Sequence, residues 1–85
     1  MSEEYIRKMA NITKLVSHTH LYKGEKGALR LAREVGSALR DSPRKKALEL
    51  VRISYDICVV GYSLSPPIDK KVWDDEVMKS LTKYD

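Results

Sequence analysis

One cysteine, Cys58, is the only thiol in this chain. A single thiol forms no internal disulfide, and its apolar neighbours point to a buried side chain in a reducing compartment. Glutamine is absent and asparagine occurs once, at Asn11, beside many Lys, Arg and Glu. Such depletion of labile amides fits a source in a hot environment. Long apolar runs are missing too. The longest, Ile57 to Val60, falls far short of the about 20 residues a membrane-spanning helix needs. Glu3 and Glu4 stand where a signal peptide would need basic and then apolar residues, so none is expected and the chain reads as cytoplasmic. Gly24 and Gly27 lack the spacing of a phosphate loop. No Ser/His/Asp or Cys/His arrangement stands out locally. These absences lead us to expect no enzymatic activity, no cofactor, no metal and no small-molecule substrate.

What is present is a short, charge-rich chain. Its 85 residues are 42% hydrophobic and 33% charged, which suits one globular domain over 1–85 rather than disorder. The net charge of +4 is uneven. Residues 21–46 hold eight Lys and Arg against three Asp and Glu, whereas residues 47–85 hold five against seven. The middle is basic and the C-terminal part mildly acidic.

Periodicity predicts an all-α fold, a small compact four-helix bundle-like domain with helices over about 3–19, 26–40, 43–62 and 69–83. Ser2 is placed to cap the first helix, whose apolar face carries Tyr5, Met9, Ile12 and Val16, widened by Leu15. Tyr22-Lys23-Gly24 makes a turn. In the second helix Ala28, Ala32 and Gly36 form a small-residue edge. Gly36 costs about 1 kcal/mol of helix propensity, which close approach of a neighbouring backbone would justify. Ser42 suits an N-cap and Pro43 the first helical position of the third helix. The β-branched stretch Ile57 to Val60 has no partner strand, so helix is expected there. Pro66-Pro67 stiffens the next connection. Asp69 caps the fourth helix, with Ile68 stapled onto Trp73.

The second helix carries the most informative pattern. Lys26, Arg30, Arg33, Ser37 and Arg40 recur at helical spacing and fall within about 40° of one line. Ala28, Leu31, Ala32, Val35, Ala38 and Leu39 centre on the opposite side. Like charges so close repel unless a partner neutralises them, and arginine's planar fork suits phosphate or carboxylate. Arg44, Lys45 and Lys46 open the next helix, where cations oppose the dipole and stability alone would not favour them. A solvated face is the plainer alternative for this ridge.

Other features are weaker. Leu31 to Gly36 resembles the first half of a helix-turn-helix over about six residues, but that motif turns directly after the glycine. Here the helical pattern runs on, and Ser42-Pro43 stands where a buried aliphatic is needed. His18 and His20 have a spacing that suits a metal only on extended backbone. Asp74, Asp75 and Glu76 suit the positive end of a helix dipole. Trp73 reads first as a staple and core residue, with a protein-interface anchor as the rival reading, and Tyr22 on its short turn is a similar interface candidate. The expectation is an accessory or adaptor subunit that docks on a larger protein in a nucleic-acid-processing, replication-type assembly. Its basic face would be Lys26, Arg30, Arg33, Arg40, Arg44, Lys45 and Lys46. The alternative is sequence-independent DNA or RNA binding through the same face.

Overall fold

The computed structural model describes residues 3–82. Ser2 and Tyr84 lie outside them, as do the side chains of Tyr5, Met9, Leu15 and Val16. Four helices follow in order: α1 (Glu3–Ser17), α2 (Gly24–Leu39), α3 (Arg44–Gly61) and α4 (Lys70–Leu81). A 3-10 turn over Thr19–Leu21 joins α1 to α2. No strand occurs among the described residues, and no helix there is long and apolar enough to cross a membrane. The radius of gyration, 11.9 Å, is that of a compact chain of this length.

Hydrophobic periodicity explains α2. Ala28, Leu31, Ala32, Val35 and Leu39 are fully buried, and Lys26, Arg30, Arg33 and Ser37 are exposed on the other side. Ile12, Ala47, Leu50, Val51, Cys58, Trp73 and Val77 complete the core. Trp73 is the largest fully buried side chain, and its indole N–H donates to the buried Ser54 hydroxyl at 2.9 Å. Ser54 in turn donates to the Val51 carbonyl at 2.8 Å, so the buried polar pair is satisfied. Ile57 to Val60 is helical, as its lack of a partner strand requires.

Several boundaries differ from expectation. The first helix ends at Ser17 rather than near Thr19, because Thr19 turns inward and its hydroxyl donates to the Gly61 carbonyl at 2.6 Å. The second begins at Gly24, which takes φ +71° at the turn. Arg40 caps it instead of lying within it. Ser42 does not cap the third helix. Pro43 occupies that position, since its ψ of 141° is extended and the helical ladder starts at Arg44. Asp69 does cap α4, accepting from the Val72 amide at 2.9 Å. Ile68 packs on the core cluster that contains Trp73.

α1 packs on α2 and α3, and α4 packs on the same two helices, most extensively on α2. Gly36 makes the α2–α4 approach possible. A Cβ there would lie 2.5 Å from the Val77 carbonyl oxygen and 2.6 Å from the Ser80 Cβ. The Gly36 end of the small-residue edge therefore faces α4.

Candidate functional site

The α2–α4 seam brings together part of the expected basic ridge. Arg33, Ser37 and Arg40 on α2 and Glu76, Lys79 and Ser80 on α4 line one open hollow of about 470 Å³. Ser80 is the tie between the helices. Its hydroxyl donates to the Arg33 carbonyl at 2.7 Å, and its own carbonyl accepts from Arg40 Nε at 3.0 Å. The Ser37 and Ser80 hydroxyl oxygens lie 3.5 Å apart. Arg40 is thereby half-buried rather than fully in water.

The ridge is also less bare than its sequence suggests. Glu76 Oε2 lies 3.8 Å from Arg33 Nε, and Glu76 Oε1 lies 3.9 Å from Lys79 Nζ. Arg33 remains 55% exposed while Glu76 is only 16% exposed, so the carboxylate sits beneath the cations rather than over them. Arg30 and Lys26, nearer the start of α2, are exposed and make no ion pair among the described residues. Arg44, Lys45 and Lys46 are exposed at the start of α3, with Lys46 Nζ 4.0 Å from Glu49 Oε2, and none of the three lines the hollow.

Two cationic positions therefore matter differently from the sequence reading. Lys79 joins the hollow from α4 and was missed, because nothing local to either helix says which helices adjoin. Arg33 has an internal partner in Glu76, one of three acidic residues that sequence reading assigned to a helix dipole. Of the other two, Asp74 pairs with Lys70 at 3.1 Å.

Trp73 lies in the core, and the rival reading of it as an interface anchor is corrected. It is fully buried, edge-on to Tyr55 with ring centres 6.4 Å apart, and presents nothing to a partner. Tyr22 is half-buried against the core, and its carbonyl accepts from the Tyr62 hydroxyl. Gly27 permits that turn, since a Cβ there would lie 2.3 Å from the Tyr22 carbonyl carbon. Tyr55 on α3 donates its hydroxyl to the Ile68 carbonyl at 3.4 Å. The resemblance of Leu31–Gly36 to a helix-turn-helix ends at Gly36, where the helix continues to Leu39.

His18 and His20 are exposed, their rings edge-to-face with centres 6.1 Å apart. Among the described residues no group of three or more His, Cys, Asp or Glu is arranged to hold a metal ion. Cys58 is buried, and burial pushes its thiol up to about 12. Tyr62 is also pushed up to about 12, chiefly by burial and further by the Cys58 and Tyr22 charges.

No protein-family model, curated protein or solved structure matches this chain.

Proposed function

We propose that this chain is a non-enzymatic accessory subunit that docks on a larger protein in a nucleic-acid-processing assembly of the replication type. It would turn the outer side of α2 towards phosphates. One observation carries the reading. Lys26, Arg30, Arg33 and Arg40 follow one outward line of an unbroken helix and its cap, and Lys79 joins them from α4. The Ser80 carbonyl accepts from Arg40 Nε and so orders that side chain, which lowers its ordering cost on binding. The order of helix contacts supports a bundle-like scaffold beneath it.

A second reading, direct sequence-independent binding of DNA or RNA, is favoured by the hollow itself. Two arginines, a lysine and two serines around one cavity suit a phosphate group, against the single carboxylate of Glu76.

Titration of the full chain with labelled duplex DNA at two salt concentrations separates the two readings. A direct binder holds duplex unaided, and its affinity falls by roughly 0.9 log units per log unit of salt for each phosphate contacted. An accessory subunit holds duplex weakly alone and tightly only in complex with its larger partner. In either case Arg30→Glu with Arg33→Glu lowers affinity about tenfold or more without loss of helicity. A double variant that binds like wild type removes the ridge from the function.

A further inference from the structure

The opposite character is found where α1 and the 3-10 turn meet the end of α3. Residues 57–68 contain no charged side chain at all, and residues 5–24 contain no carboxylate but include Lys14, Lys23, His18 and His20. Three of the most exposed large apolar side chains belong to these segments: Leu21 at 70%, Val60 at 70% and Leu64 at 75%.

Two hollows meet at Gly61. One, of about 400 Å³, lies between α1 and α3 and is lined by Thr13, Ser17, Ile57, Val60 and Gly61. Its surface is almost wholly apolar. The other, of about 320 Å³, includes His20, Lys23, Gly24 and Ser63 in its wall. The carboxylates nearest along the chain are Glu25, Asp56 and Asp69, and none of them lines either hollow. Asp69 is already engaged as the cap of α4.

The backbone here is fixed and strained. Ser63 and Leu64 both adopt positive φ, 53° and 67°. The Leu64 amide donates to the Val59 carbonyl at 2.8 Å and the Ser63 amide to the Val60 carbonyl at 3.0 Å. That pairing closes a Schellman motif, whose left-handed position glycine normally fills. The residue after that position commonly packs back on the helix, whereas Leu64 points into solvent. Bonds from Thr19 to Gly61, Tyr62 to Tyr22 and Tyr55 to Ile68 pin the surrounding segments. Strain held in place by its surroundings, presenting an apolar side chain outward, marks a preorganised contact surface.

We infer that this end of the molecule docks an acidic, leucine-bearing segment of a partner protein. An apolar side chain of that segment enters the hollow of Ile57, Val60 and Gly61, and its carboxylates lie over Lys23 and His20. Charge decides the occupant: among the described residues the lining carries the Lys23 ammonium and no carboxylate, which favours an acidic segment over a basic one. This deepens the accessory-subunit reading by supplying its protein-facing surface, which is separate from the α2 ridge.

The test uses the full chain and a short labelled peptide with leucine every third or fourth position and Asp or Glu between. A counterpart with Lys in place of the acids serves as control. The acidic peptide binds at least about tenfold tighter than the basic one, and Val60→Asp or Lys23→Glu each lowers its affinity about tenfold. Both substituted positions are exposed, so circular dichroism remains that of the wild type. Arg30→Glu with Arg33→Glu leaves peptide binding unchanged, which separates failure of this site from failure of the ridge. Equal affinity for the two peptides, or indifference to both tip variants, overturns the inference. So does co-sedimentation with phosphatidylserine vesicles without peptide binding, or a self-association that Val60→Asp abolishes in place of peptide binding.

Discussion

The α2–α4 seam and the end of the molecule around Gly61 solve the same problem by different means. At the seam two helices meet through a glycine, a serine and two arginines, and the exposed rim is charged. Around Gly61 the segments are pinned by three hydrogen bonds to main-chain carbonyls, and the exposed rim is apolar. The seam has little backbone strain to relieve, because glycine stands where contact is closest. The other end keeps serine and leucine where glycine would be easier. The comparison teaches that close helix contact has been optimised for fit, whereas the Gly61 end departs from the most stable choice and leaves apolar surface in water.

Alkali makes the largest expected difference between them, because both groups with raised pKa flank Gly61, Cys58 in the last turn of α3 and Tyr62 at its cap. Cys58 is raised from 9.0 and Tyr62 from 10.0, each to about 12. The folded state therefore holds these protons after the unfolded chain has released them. Stability is full below pH 9 and falls as pH climbs from 9 to about 12. Circular dichroism against pH follows the loss. Cys58→Ala removes the earlier part and moves the onset of decline towards 10, the unperturbed tyrosine value. An unchanged onset contradicts the buried-thiol account.

Gly36→Ala breaks the seam next. Alanine gains about 1 kcal/mol of helix propensity over glycine. The added Cβ, however, meets a backbone oxygen at 2.5 Å, and α4 has to move. Overpacking of this kind costs about 1–3 kcal/mol, and with backbone on the far side the upper part of that range applies. Net destabilisation in urea unfolding is expected. A stabilised variant means that α2 and α4 do not approach so closely.

Ser63→Gly acts with the opposite sign at the other end. Relief of the left-handed strain outweighs glycine's extra chain entropy, for a gain of about 0.5–1 kcal/mol. Its thermal midpoint rises, whereas that of Gly36→Ala falls. Strain at Ser63 is absent if the two shift alike.

How much of this was legible depends on distance along the chain. The core face of α2, the Asp69 cap and the helicity of Ile57 to Val60 follow from local spacing, because each is decided within a few turns. Gly36 signalled that some backbone comes close but not which one. Glu76, Lys79 and Ser80 reach α2 from about forty residues away, and helical periodicity carries no information about such pairings. Trp73 divides the same way: the staple with Ile68 placed it in the core, but not its partner Ser54, nineteen residues earlier, which satisfies the indole N–H. The Schellman turn at Ser63 escaped notice because serine is not the residue that usually marks one.

Glu76→Gln sharpens the comparison with the smallest cost to the fold. Arg33 is 55% exposed and lies 3.8 Å from the carboxylate, so the pair contributes under about 1 kcal/mol and the thermal midpoint hardly moves. Affinity for an anion behaves otherwise. In the wild type the negative charge of Glu76 lies beneath Arg33 and Lys79 and competes with any phosphate for both. Its removal raises the local positive potential of the hollow without altering its shape. Duplex affinity at low salt should then rise about threefold to tenfold, with a steeper dependence on salt. The same change leaves the acidic peptide at the Gly61 end bound as before. A variant that gains nothing with duplex while keeping its fold places the phosphate contacts elsewhere on α2, at Lys26 and Arg30, which pair with no carboxylate among the described residues.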